Sequence, residues 1–145
     1  MNNIEITGGK AYQREYVRSI TEYCIKKLMP RMKTLDIEIR LKTINEDSYG
    51  YCLSSSHREF EIEIDKKMPL RRLLETVAHE MVHVKQYARK ELIDDYTWHN
   101  KTYSPKNCDY WDQPWEIEAH GREAGLFVRW AEDQKLGEKA WTKDN

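Results

Sequence analysis

Leu70, Leu73, Leu74, Val77, Met81, Val84 and Ala88 recur at three- and four-residue intervals, the spacing of one apolar face on a helix. Pro69 stands where a first helical residue is favoured, so this helix is expected to run from Pro69 to about Lys90. Inside it lies His79-Glu80-Met81-Val82-His83. At about 100° per residue, the two histidines fall about 40° apart, on the side away from the apolar stripe. The stripe can pack on a sheet while both imidazoles face a cleft. Two histidines four residues apart, with a glutamate beside them, suit a zinc ion that keeps a general base next to its water. With five histidines and sixteen glutamates in 145 residues, roughly 0.02 such pentapeptides are expected by chance, so the motif is read as a site.

The remaining sequence reads as a single α+β domain over residues 1–145, because this length with 39% hydrophobic residues suits one modest core. Gly8-Gly9 separates a short leader from the first amphipathic segment. In that segment Tyr16, Val17, Ile20, Cys24 and Leu28 recur at helical spacing until Pro30, which predicts a packing helix over 12–28. Leu35, Ile37, Ile39 and Leu41 alternate with charged residues, and so do Phe60, Ile62 and Ile64; each run predicts a strand with one buried face. Tyr49 to Leu53 supplies a short middle strand. The connections are too short for crossover helices, which predicts a small, mainly antiparallel sheet. An aromatic loop runs from about Glu91 to Gln113, and Pro114 opens a last helix through roughly Leu136.

Hydrolysis at zinc needs three protein ligands and an open position, so His79 and His83 need a partner from downstream. Glu116, His120 and Glu123 share one face of the last helix, while Glu118 points elsewhere. Glu116 is the expected third ligand, with His120 or Glu123 behind it holding the imidazoles. His99, in the aromatic loop, is the alternative ligand on a less rigid carrier. Glu80 lies about 100° round the helix from His79 and is expected to act as general base on the water. Tyr110, and after it Tyr103, is the expected hydrogen-bond donor to the oxyanion.

His79-Glu-Met-Val-His83 followed by Glu116 on a second helix resembles the gluzincin group of zinc metallopeptidases. Glu116, Ala119 and Glu123 are spaced as in the glutamate helix of the Mlc titration factor family, and the Glu-x-Glu-Ala piece is similar to that of the ImmA/IrrE peptidases. Gly50, Cys52, Ile62 to Ile64 and Leu74 to Met81 resemble the SprT-like proteins in layout, and the whole is similar to small H-E-x-x-H proteins of tailed bacteriophages. The likeness spans roughly residues 49–124. It implies a minimal zincin-like fold, with an N-terminal helix, the active-site helix and a C-terminal glutamate-bearing helix, in which a substrate peptide lies as an added strand along the sheet edge. The SprT-like proteins take their third ligand from a histidine after the active-site helix, a place that His99 could fill here.

A net charge of −1 with 34% charged residues suggests neither nucleic acid nor a membrane surface as partner. No apolar run approaches membrane-spanning length, the N-terminus lacks the regions of a signal peptide, and Cys24, Cys52 and Cys108 read as reduced thiols of a cytoplasmic protein. Cys108 has no paired histidine, and His57 reads as a turn residue. Glu61 and Glu63 are expected to pair with Arg40 and Lys42 across strands. Together these features predict a zinc-dependent endopeptidase acting on peptide or protein substrates. The alternatives are a catalytically silent zincin-like module that binds a protein, and a SprT-like protease whose substrate is protein held on DNA.

Overall fold

A computed structural model describes residues 1–45 and 47–143. Its elements are β1 (Asn3–Gly8), α1 (Ala11–Leu28), β2 (Asp36–Lys42), β3 (Gly50–Ser56), β4 (Glu59–Asp65), α2 (Leu70–Ala88), β5 (Leu92–Ile93), β6 (Thr97–Trp98), β7 (Lys101–Thr102) and α3 (Pro114–Asp133), so the class is α+β. Both predicted strands form where alternation places them: Ile37, Ile39 and Leu41 of β2 and Phe60, Ile62 and Ile64 of β4 are buried, while the residues between them are not. These inward residues meet Val17, Ile20 and Cys24 of α1 and Leu73, Val77 and Met81 of α2 in one core.

The principal sheet corrects three expectations. Its order is β1-β2-β4-β3, and two of its three strand pairs, β1 with β2 and β2 with β4, are parallel rather than mainly antiparallel. The supposed leader is strand β1, and α1 is the crossover that returns the chain to lie parallel beside it. From β2 to β4 no helix is needed, because β3 itself carries the chain back along the outside of β4 and turns at His57 into it. For the same reason β3 is an edge strand, not a middle one. It packs closely on α2 at Gly50, where a Cβ would meet Glu63 O at 2.8 Å and Thr76 Cγ2 at 3.2 Å.

The outer face of the sheet is polar. Arg40 lies opposite Glu63 in the parallel register and reaches Glu63 at 3.2 Å and Glu61 at 3.5 Å, and Lys42 reaches Glu63 at 3.5 Å, as the sequence predicts. Ion pairs with a solvent-facing partner are screened by water and salt, so the inner face carries the fold.

The helix α2 is buried on nearly every side rather than on one stripe. Val82 and Gln86 are fully buried, and Lys85 is 8% exposed. The cause is α3, which lies across the face opposite the sheet and puts Ala119, Leu126 and Phe127 into the core. At its far end Trp130 donates from Nε1 to Ser19 Oγ at 2.9 Å and packs edge-on to Tyr16. The aromatic loop is structured too: β5, β6 and β7 form a small antiparallel sheet, and Tyr96, Trp98 and Tyr103 pack their rings against Trp115. Trp115 immediately precedes Glu116, so this cluster braces the start of α3. Among the described residues no helix is long and apolar enough to cross a membrane.

Candidate metal centre

His79 and His83 are successive turns of α2, and Glu116 is the third residue of α3. Packing of α2 on α3 brings all three together. His79 Nε2 is 3.1 Å from Glu116 Oε1, and His83 Nε2 is 3.2 Å from Glu116 Oε2. In a tetrahedral zinc site with bonds of about 2.1 Å, ligand atoms stand about 3.4 Å apart; here one ligand atom from each of the three residues lies within 4.8 Å of the others, close enough for a small adjustment to close them on an ion. Two imidazole nitrogens with one carboxylate also suit zinc rather than magnesium or calcium, which take oxygen shells. The three side chains therefore fit a zinc ion.

Behind them the helical face of α3 provides a second layer. Glu123 Oε1 lies 3.0 Å from His79 Nδ1 and 2.8 Å from His120 Nδ1. The sequence left the choice between His120 and Glu123 open; Glu123 touches the ring nitrogen of His79, whereas His120 packs edge-on against that ring with centroids 4.4 Å apart. His79, His120 and Glu123 also bring ligand-type atoms within 4.8 Å of one another, a second grouping that sequence reasoning did not separate from the first. Glu118 points away from the site, to Lys85 Nζ at 2.6 Å and Gln86 Nε2 at 2.9 Å.

His99 is not brought to the pair. It occupies the two-residue turn between β6 and β7, where His99 and Asn100 both have positive φ (46° and 69°), and it is exposed. Tyr103 packs on Trp115 instead of entering the site. Tyr110 does enter. It begins a turn of 3-10 helix, Tyr110–Asp112, and its hydroxyl lies 3.0 Å from Glu116 Oε1 and 2.8 Å from His120 Nε2.

Burial alone would lower the His79 pKa, but hydrogen bonds to Glu116 and Glu123 overcome it and raise the group to about 10. The same opposition, with Glu116 winning over burial, raises His83. Burial would raise Glu116, yet the two imidazoles hold it well below the ordinary carboxylate range. Glu80, only 4% exposed, shifts the other way: loss of water around it raises its pKa, and the charges of His83 and His79 only partly offset this.

Glu80, His79, His83, Tyr110 and Glu116 line a cavity of about 500 Å³ bounded by β3 on one side and Trp115 on the other. Two further cavities of about 520 and 540 Å³ continue along the same edge, one past Tyr49 and Trp111, the other past Ser54 to His57 and Ile93. Five of the nine large apolar side chains left exposed among the described residues, Tyr49, Leu53, Ile93, Tyr110 and Trp111, line this groove. The exposed apolar side chains thus gather along one edge rather than scattering over the surface. No protein-family model matches this chain, and no curated protein or solved structure does either.

Proposed function

We propose that this chain is a zinc-dependent endopeptidase with a minimal zincin-like arrangement, zinc being held by His79, His83 and Glu116. The observation that carries this reading is the meeting of those three side chains at one point with Glu80 in the same cavity. Zinc bound there would polarise the scissile carbonyl and acidify a water molecule at its open position. Glu80, with its carboxyl raised by burial, takes the proton of the attacking water and passes it to the leaving amine. Tyr110, whose hydroxyl lies between Glu116 Oε1 and His120 Nε2, would turn it to the carbonyl oxygen as negative charge develops there. Glu123 accepts from His79 Nδ1 and would so leave Nε2 as the nitrogen available to a metal.

A polypeptide substrate is supported by the groove, which runs beside β3, an edge strand of the principal sheet among the described residues, and extends through three adjoining cavities. An extended chain can add its backbone hydrogen bonds to such an edge while apolar side chains settle beside it. The cations on α2 are occupied within the protein: Arg71 meets Glu75 and the Thr142 carbonyl, Lys85 meets Glu118 and Glu91, and Arg72 covers the Tyr49 ring. That favours a free protein substrate over one held on DNA. Cys24, Cys52 and Cys108 are all free, which supports a cytoplasmic setting.

Metal analysis with a broad peptide library tests the reading. Zinc should co-purify in about one equivalent and peptides should be cut. Glu116→Ala should weaken zinc binding roughly ten-fold or more and remove cleavage, while His99→Ala changes neither. The reverse pattern would replace Glu116 by His99 as ligand, and zinc binding without cleavage of any peptide would favour a binding module. Trp111, 69% exposed at the rim, should act on specificity. Trp111→Ala is expected to raise KM for peptides with aromatic or large aliphatic residues near the cut by about 10-fold, the low end of the 1–3 kcal/mol that an apolar pocket contact is worth, with kcat little changed. Equal loss across apolar and polar peptides would contradict that role.

A further inference from the structure

Gln86 lies one turn beyond His83 on α2 and is fully buried. The groups around its nitrogen settle which way its amide points. Nε2 lies 3.0 Å from the Trp115 carbonyl and 2.9 Å from Glu118 Oε1, and both of these only accept hydrogen bonds. Glu118 is kept a carboxylate acceptor by Lys85 Nζ at 2.6 Å and Arg122 Nη1 at 3.3 Å on its other oxygen, and Lys85 is itself anchored to Glu91 at 2.8 Å. The amide oxygen therefore faces His83 Nδ1, 2.8 Å away, as an acceptor. His83 Nδ1 must carry the hydrogen, and Nε2 is the nitrogen turned towards Glu116 Oε2.

We propose that Gln86 is a positioning residue of the metal centre, one amide that selects the ligating nitrogen of His83 and fixes the backbone turn carrying Glu116. The second half of this role comes through the Trp115 carbonyl, one residue before Glu116 and held directly by Gln86 Nε2. Two of the three metal ligands thus depend on one side chain that never touches the metal. A residue serving only to tie α2 to α3 would stabilise the fold but leave the choice of His83 nitrogen unaffected.

The proposal rests on the zinc reading for the identity of the ligand and is tested with the full-length protein, zinc and nitrogen-15 NMR of the histidine rings. In the wild type the His83 Nδ1–H is expected to exchange slowly with solvent, with or without zinc, and zinc should shift Nε2. Gln86→Met keeps the length of the side chain and removes the acceptor. It should lose the slow Nδ1–H exchange and bind zinc about 10- to 100-fold more weakly. The double variant Q86E/E118Q exchanges amide and carboxylate, returning an acceptor to His83 and a donor from position 118 to that acceptor, but it leaves the Trp115 carbonyl without the N–H that Gln86 supplies; it should keep Nδ1–H protection while recovering only part of the zinc affinity lost in Gln86→Met. A folded Gln86→Met protein with unchanged zinc affinity and a protected Nδ1–H overturns the proposal, and so does zinc bound to Nδ1 of His83. Should Gln86→Met fail to fold, loss of Nδ1–H protection in Q86E/E118Q overturns it equally. A wild type that binds no zinc overturns the zinc reading instead, and Nδ1–H protection in the wild type against the variants still decides the role of Gln86.

Discussion

Glu80→Gln is expected to lower the rate of peptide cleavage by about 10²- to 10⁴-fold, the usual worth of a general acid–base group, while zinc stays bound. Glutamine matches glutamate in shape, so the packing of α2 and the positions of His79 and His83 on either side of it are preserved. What it cannot do is accept a proton. The loss corresponds to about 3–5 kcal/mol of transition-state stabilisation, far more than a side-chain amide at a buried position should cost in packing. The environment of Glu80 explains why the carboxyl suits the task. It is 4% exposed and loses water, which raises its pKa, and zinc held by His79 and His83 would supply the positive charge that keeps it from becoming too weak an acid. Measured kcat/KM and bound zinc on the same preparation decide the matter. Cleavage within a few-fold of wild type would leave Glu80 as a buried residue without a proton-transfer role, and loss of zinc would make it a structural support of the ligands.

How much the sequence discloses depends on how local each signal is. The α2 helix is legible twice over, from the stripe of Leu73, Val77 and Met81 and from His79 and His83, because both periods belong to one element. Strands β2 and β4 are legible because one face is buried and the other is charged. β1 offers only Ile4 and Ile6 at the sheet edge, too short an alternation to separate from a leader, and parallel pairing depends on the route of the whole chain rather than on any strand's own pattern. The two-residue strands β5, β6 and β7 are shorter than any period. At the site, helical spacing groups Glu116, His120 and Glu123 correctly, since a rigid helix turns sequence distance into direction. The approach of that helix to α2 is a long-range fact, and with it come the arrival of Tyr110, the exclusion of His99 and the burial of Gln86. Gln86 has no signature at all, because an amide acquires its meaning only from the acceptors placed around it.

Zinc affinity should fall steeply with acid, by up to about 100-fold per pH unit below neutrality, because the ion must displace two protons. Each imidazole faces an acceptor on both sides: His79 lies between Glu123 and Glu116, and His83 between Gln86 and Glu116. Acceptors on both sides favour a hydrogen on both nitrogens of each ring, and so the cationic form of each when zinc is stripped. Burial opposes this, but the carboxylates prevail, taking His79 from 6.5 to about 10 and raising His83 as well. The sign for the stripped protein is set by a folded pKa above the unfolded one. The stabilisation from His79 is complete below about 6.5 and is lost as pH rises through about 10. With zinc bound the trend reverses, since rising pH removes the competing protons and strengthens a ligand that binds only the folded chain. Thermal unfolding from pH 6 to 9 should therefore show Tm falling for the stripped protein and rising for the protein in limiting zinc. Calorimetric titration at pH 7 in buffers of different ionisation heat should report about two protons released per zinc. A release near zero would mean that the imidazoles are neutral before zinc arrives, and the charged cluster of His79, His83 and Glu116 would have to be abandoned as the resting state of the site.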